Sequence, residues 1–316
     1  MTQSSKIATG TIGIIVVSVL GGMAFSRSSE LATMRGHSDV IRSIAYSNDG
    51  NLIASAGDDH MITLWNASTH SRQSQLEGHT KSVNGVAFAD QQLVSASDDG
   101  SVRLWDIASG VCSSNFSLSK KPLESVAISP NGKVIAAGGV DEIVYVSSDR
   151  KTWKSLRGHT KTIRSVVFAP DGKTLASAGD DGVIRLWNVE RGIASGTIAV
   201  GGHRVHQLAF TDNGKVLACA ITGGGVRSWD VPTLRERPKF DGMGQVRGLS
   251  FSADGLTLTT VHEDQTVQLW DVASMKQRRS MRGHDAPVLA VAMSPDTQFI
   301  ASGGGDRVVK LWSAKD

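Results

Sequence analysis

Two hydrophobic regimes divide the chain. Residues 7–25, IATGTIGIIVVSVLGGMAF, form a mostly apolar run without a charged side chain, whereas beyond residue 28 the apolar residues come in short alternating segments separated by polar turns. Alternation with period two puts successive side chains on opposite faces of a strand, so the second regime predicts β-strands, and no long helical period interrupts it. Seven such segments, SIAYS, GVAFA, SVAIS, SVVFA, QLAFT, GLSFS and AVAMS, are each followed by a second apolar run. Tips such as SPNGKVI and APDGKTL separate the two runs, with Pro, Asn or Asp ahead of Gly. This is the residue chemistry of a tight hairpin.

The second run is one pattern rewritten along the chain. IASAGDDHMITLWN (53–66), LVSASDDGSVRLWD (93–106), LASAGDDGVIRLWN (175–188), LTTVHEDQTVQLWD (258–271) and IASGGGDRVVKLWS (300–313) align without gaps. LACAITGGGVRSWD (217–230) is a worn copy, and IAAGGVDEIVYVSS (135–148) carries Ser147 in place of tryptophan. The tryptophan positions, 65, 105, 147, 187, 229, 270 and 312, are spaced by 40, 42, 40, 42, 41 and 42 residues. Periods of this length belong to stacked supersecondary units, here seven antiparallel meanders.

With these residues in view, the chain resembles the WD-repeat β-propellers over residues 29–316. Gly36-His37, Gly78-His79, Gly158-His159 and Gly283-His284 match the family's Gly-His element, and Trp105-Asp106, Trp229-Asp230 and Trp270-Asp271 match its Trp-Asp ending. The resemblance implies an all-β, seven-bladed WD-type propeller in residues 27–316. It also implies a buried hydrogen-bonded relay of His, Ser, Asp and Trp in four blades: His37, Ser55, Asp59, Trp65; His79, Ser95, Asp99, Trp105; His159, Ser177, Asp181, Trp187; and His284, Ser302, Asp306, Trp312. Such a relay is scaffold, because it satisfies polar groups that are costly to bury alone. Blades 3, 5 and 6 depart from it: Ser119 and Ala137 replace His and Ser in the third, Cys219 and Gly223 replace Ser and Asp in the fifth, and the sixth keeps Thr260, Asp264 and Trp270 without a Gly-His histidine. More irregular loops are expected in these three.

The segments that precede each Gly-His, HSRQSQLEGH, RKTWKSLRGH and MKQRRSMRGH, align with RSSELATMRGH at 27–37, which has no blade in front of it. The last copy ends three residues after Trp312-Ser313. By the family resemblance, roughly residues 29–35 supply the outer strand of blade 7, and the N-terminus closes the ring.

Residues 1–6 then form a short tail and residues 7–26 lie ahead of the propeller. Nineteen helical residues reach roughly 28 Å, close to the hydrocarbon thickness of a bilayer. One N-terminal transmembrane helix is therefore expected here. A cleaved signal sequence is the competing reading, since Lys6 gives a basic start and Ala24-Phe25-Ser26 offers small residues for cleavage, although the run exceeds the usual signal length. A short tail with one lysine favours an exported propeller.

Charge and composition narrow the partners. Lys6 is the only charged residue before Arg27, so of 33 basic and 30 acidic residues the remainder of the chain holds 32 and 30. That balance gives no reason to expect nucleic acid. The two cysteines, Cys112 and Cys219, have no metal-ligand or framework spacing. There is no HExxH, GxSxG or CxxC, and no cofactor is expected. His203, His206 and His262, with Cys219 nearby in register, are the only grouping that zinc would accept, and nothing fixes a fourth ligand. Trp153, off the repeat position, packs between blades or offers an aromatic contact to a partner.

In the resembled family, partners meet the Gly-His face through residues at the start of the inner strand and just before the turn Asp. Carried onto this chain they are Arg42, Asp58, Asn84, Asp98, Glu124, Arg164, Asp180, Arg204, His206, Arg247 and Glu263. A ring of mixed sign suits a polar protein surface. The expectation is a membrane-anchored, non-enzymatic scaffold for protein docking, an accessory subunit of a membrane-associated complex. The alternative is an exported enzyme or ligand-binding protein that uses the central channel.

Overall fold

The computed structural model describes residues 29–211, 213–240 and 242–315. Residues 7–26, the expected anchor or signal, fall outside them. Among the described residues no helix is long and apolar enough to cross a membrane.

The described chain folds into seven four-stranded antiparallel sheets, the blades of one propeller. Each runs outward in sequence order, as in blade 1, whose strands are Ile41–Tyr46, Leu52–Gly57, Ile62–Asn66 and Arg72–Leu76. Blade 7 is the exception: Val288–Met293, Phe299–Gly304 and Val308–Ser313 are joined on the outside by Glu30–Arg35. Met34 pairs with Val309 and Arg35 with Val308, so the N-terminal strand closes the ring as the family resemblance implies. Closure removes a free sheet seam between the first and last blades.

Packing between blades explains the sequence pattern. Trp105 of blade 2 lies against Ile62, Leu64 and Leu76 of blade 1, and Trp229 of blade 5 against Ile184, Leu186 and Ile198 of blade 4. Neither face of a blade meets water over its inner strands, which is why the second strands read as near-continuous apolar runs instead of alternating. Leu52–Gly57 and Thr174–Gly179, for example, are buried at every position after the first.

A second set of contacts ties the inner strands to one another. Ser43 Oγ accepts the Val86 N–H at 3.1 Å, Ser125 Oγ the Val166 N–H at 3.1 Å, Ser165 Oγ the Leu208 N–H at 3.0 Å, Gln207 Oε1 the Leu249 N–H at 2.9 Å and Ser250 Oγ the Met293 N–H at 3.1 Å. Between blades 2 and 3 the position is Gly85, where a Cβ would stand 3.1 Å from Val126 N. The backbones approach directly there, and glycine is the residue that permits it.

The three weak blades differ in their outer strands. Blade 5 ends in an outer strand of two residues, Arg235–Glu236. Blade 3 keeps Lys154–Arg157 and blade 6 keeps Gln277–Arg282, each completing four regular strands. Blades 3 and 5 have each lost three of the four relay groups, so the number of groups lost does not by itself set the length of the outer strand.

Candidate functional site

Every inner strand carries the same defect next to its first residue. The pairing register slips between Ile41 and Ser43, Val83 and Gly85, Leu123 and Ser125, Ile163 and Ser165, Val205 and Gln207, Val246 and Gly248, and Val288 and Ala290. The residues skipped are Arg42, Asn84, Glu124, Arg164, His206, Arg247 and Leu289. A bulge leaves one residue unpaired and re-aims its side chain. All seven line one mouth of a central channel of about 800 Å³. The ring of side chains on the Gly-His face is thus built by backbone irregularity repeated seven times.

The ring is wired in pairs. Arg42 donates to Asp58 at 2.6, 2.9 and 3.0 Å, Asn84 Nδ2 to Asp98 Oδ1 at 2.6 Å, and Arg164 to Asp180 at 2.9 and 3.1 Å. Arg247 pairs with Glu263, and His206 Nε2 meets Thr222 Oγ1 at 3.0 Å. Arg164 also reaches Glu124 Oε1 at 3.1 Å, which links blade 4 to blade 3. Burial raises the pKa of Glu124, with Arg164 pulling the other way. Arg204 stands apart: its side chain is exposed, and its carbonyl accepts the Thr222 N–H at 2.9 Å. In blade 7 the two positions hold Leu289 and Gly305, so this blade contributes no polar pair.

Beneath the ring lie the relays. His37 Nδ1 is 2.7 Å from Asp59 and its Nε2 2.7 Å from Ser55 Oγ, which also accepts Trp65 Nε1–H at 2.7 Å. In the same way His79 meets Asp99 (2.9 Å) and Ser95 (2.7 Å), whose Oγ accepts Trp105 Nε1–H (2.8 Å), and His159 meets Asp181 (2.8 Å) and Ser177 (2.7 Å), whose Oγ accepts Trp187 Nε1–H (2.7 Å). In blade 7, His284, Asp306, Ser302 and Trp312 repeat them at 2.7 Å throughout. Each carboxylate is desolvated, yet its hydrogen bonds to the imidazole and backbone outweigh burial and hold its pKa below the ordinary range. These groups are consumed in holding the loops of the face.

Blade 6 has Gly242 at the Gly-His histidine position, yet a histidine from elsewhere meets the relay hydroxyl. His262 Nε2 lies 2.7 Å from Thr260 Oγ1, which accepts Trp270 Nε1–H at 2.9 Å. The imidazole comes from within the second strand, two residues after the hydroxyl, instead of from the preceding loop. Burial pushes its pKa down to about 4, against a smaller opposing pull from Asp264. The repeat alignment of LTTVHEDQTVQLWD gives no hint of this, since His262 stands where other blades hold a glycine, serine or isoleucine.

The remaining candidates separate. His262 is inside blade 6, His206 is at the mouth, and Cys219 belongs to the apolar cluster between blades 4 and 5 with its thiol pushed up to about 12 by burial. Among the described residues no three His, Cys, Asp or Glu side chains are grouped to hold a metal ion. Trp153 is partly buried against the blade 2–3 cluster, edge-on to Phe116 at a centroid distance of 5.3 Å. In blade 3 Tyr145 donates to the turn Asp141 at 2.7 Å, a substitute for the missing histidine that the repeat alignment did not single out.

Comparison with known proteins agrees with the geometry. A family model described as WD domain, G-beta repeat matches residues 28–66, 70–106, 110–146, 150–188, 236–271 and 275–313, passing over most of blade 5. WD repeat-containing protein 41 of Homo sapiens is 34% identical over 58 residues, 18% of this chain and 12% of that protein. WD repeat and HMG-box DNA-binding protein 1 of Homo sapiens is 32% identical over 66 residues, 21% of this chain and 6% of its own length. Eukaryotic translation initiation factor 3 subunit I of Aspergillus niger is 28% identical over 67 residues, 21% of this chain and 20% of its own. The matched stretch spans well under two thirds of each of these relatives.

Proposed function

The chain belongs to the WD-repeat family of β-propellers, and from that premise we propose that it is a non-enzymatic docking platform, held at a membrane through residues 7–26 and serving as an accessory subunit of a membrane-associated protein complex. The observation that carries the docking reading is the ring itself: side chains aimed by seven bulges and fixed by ion pairs at one channel mouth. Side chains already held in place lose little further freedom on binding, which favours recognition by a preformed surface. The charged groups at that mouth are engaged with one another, which supports surface recognition over channel chemistry.

Support for the anchor is the uncharged run at 7–25 and the position of strand Glu30–Arg35, which begins on the face opposite the Gly-His loops. With that run retained the docking face points away from the bilayer, and the short tail with one lysine favours the exported side. Purification of the intact protein in mild detergent, with mass spectrometry of its N-terminus and of co-purifying proteins, tests anchor and partnership together. The anchor reading predicts an N-terminus that begins before residue 7. The docking reading predicts that reversing Arg42, Arg164 and Arg247 to Glu abolishes partner capture; unchanged capture removes the ring from the mechanism.

A further inference from the structure

The Gly-His face is not uniform around the ring. In blade 5, Gly201 stands four residues ahead of the inner strand, where blades 1, 2, 4 and 7 hold the relay histidine, and Cys219 and Gly223 replace the Ser and Asp. Places where a repeat abandons its own structural rule are where function is expected to reside. The Val200 N–H donates to Gly182 O, and Thr222 N–H to Arg204 O, so segment 200–206 lies over the turns at 180–182 and 222–225. Gly202 and Gly223 are exposed and have nothing within 4 Å of an added Cβ.

Within segments 200–206 and 222–225 the exposed charge has one sign, and the two carboxylates of the turn beneath, Asp180 and Asp181, are engaged by Arg164 and His159. Residues 200–206 and 222–225 contain no carboxylate. Lys161 is exposed on one side of the turn at 180–182, in the loop whose Thr160 N–H caps Asp181, and His203 lies over Gly182 on the other. Arg204 is exposed between them and the mouth. Further in, the nearby acids Asp180 and Glu263 are bound to Arg164 and Arg247. His206 senses the balance: after burial, Arg247 and Arg164 are the strongest influences on it and lower its pKa, outweighing Asp180 and Glu263. Blade 2 shows the contrast: its matching His79-Thr80-Lys81 loop caps Asp99 as Thr160 caps Asp181, but Asp98 is paired with the neutral Asn84 where Asp180 is paired with Arg164, and Glu77 stands where blade 4 has Arg157.

We propose that the sector of the face over blades 4 and 5, edged by Lys161, Arg204 and Arg247, receives a carboxylate-rich peptide segment of a protein partner. The proposal rests on the docking reading above and names its chemistry. A short row of cations beside an uncluttered glycine floor lets an extended chain lie flat while its carboxylates meet Lys161 and Arg204. A duplex or long single strand of nucleic acid needs a broader run of phosphate contacts than this sector offers between the acidic turns of blades 3 and 6.

The test uses the full chain in mild detergent at low ionic strength, with a fluorescent oligoglutamate peptide as probe and fluorescence anisotropy as readout. Lys161→Glu and Arg204→Glu are each expected to weaken binding by about tenfold, and added salt to weaken it further. Lys81→Glu makes the same change in the same local sequence on blade 2 and is expected to shift binding by less than about twofold. Equal losses from Lys81→Glu and Lys161→Glu, absence of saturable binding, or tighter binding of an oligothymidylate than of the peptide would each overturn the proposal. Those outcomes leave ring docking standing, because that reading falls on a different result, unaltered partner capture by the Arg42, Arg164 and Arg247 triple reversal.

Discussion

Lys310 Nζ lies 2.7 Å from Glu30 Oε1 and 2.8 Å from Thr33 Oγ1, joining residues 280 positions apart across the closing seam of blade 7. Lys310 is only 8% exposed, so its ammonium depends on the N-terminal strand for partners. Removing one partner of a buried charge costs more than the pair contributes, because the other charge stays desolvated. Glu30→Ala is therefore expected to destabilise the propeller by about 1–3 kcal/mol, and Lys310→Met in that background to recover part of the loss. Thermal melts of the three proteins check it; a Glu30→Ala melt matching wild type would show that the seam does not rely on this pair.

Burial alone would raise the Glu30 pKa, but its hydrogen bonds with Lys310 and Thr33 bring it below the usual glutamate value. A carboxyl whose folded pKa is depressed contributes stability above its unfolded pKa and loses it as pH falls through the folded one. The wild-type advantage over Glu30→Ala should shrink as pH is lowered from 6 toward about 3. A difference independent of pH would assign the loss to packing alone.

His262 gives a second window. Its imidazole is buried with a pKa of about 4, below the unfolded value, so the fold holds it neutral while the unfolded chain takes up a proton from about pH 6.5 downward. The stability it supports is complete above that pH and is lost on the way to pH 4, on the order of 2–3 kcal/mol. His262→Asn keeps a hydrogen-bonding side chain next to Thr260 and has nothing to titrate. Melting temperatures between pH 7.5 and 4.5 should fall less steeply in this variant than in wild type, and parallel slopes would contradict the assignment.

The relay can be weighed against its worn copy. Ser177 is fully buried and serves both His159 and Trp187, so Ser177→Ala strands an imidazole nitrogen and an indole N–H, at about 2–4 kcal/mol. Cys219 holds the same place in blade 5, where no histidine or aspartate reaches it. Cys219→Ala removes a larger atom and should cost less, about 1 kcal/mol. Denaturant unfolding of the two variants gives the order, and the reverse order would mean that packing, not the relay, dominates at this position.

How much of this was legible in the sequence differs by level. The seven blades follow from spacing, since a fixed period in residues fixes a register in space, whereas the closing strand and the four relays follow from the family resemblance carried onto that register. The aim of Arg42, Arg164 and Arg247 toward one mouth also follows from register, but their pairing with Asp58, Asp180 and Glu263 does not. It depends on the bulge that displaces each of them from its strand pair, which no residue type announces. The same limit hid His262 and Tyr145. Both replace a missing loop histidine from a different strand position, so they occupy the right volume with the wrong sequence offset.

Trp153 is a third replacement of this kind. Ser147 takes the tryptophan position of blade 3, which leaves the cluster of Val102, Leu104, Val126 and Ala137 without the indole that fills the equivalent space elsewhere. Trp153, six residues later, packs against that cluster and meets the Phe116 ring of blade 2 edge-on. If it substitutes for the repeat tryptophan, Trp153→Ala should cost about 3 kcal/mol or more despite partial exposure. Phe116→Ala and the double variant complete a cycle whose coupling should be about 0.5–1.5 kcal/mol for the aromatic pair. Denaturant unfolding of the four proteins measures both terms. A small single loss with no coupling would make Trp153 a surface aromatic, free to meet a partner instead of holding blade 3 to blade 2.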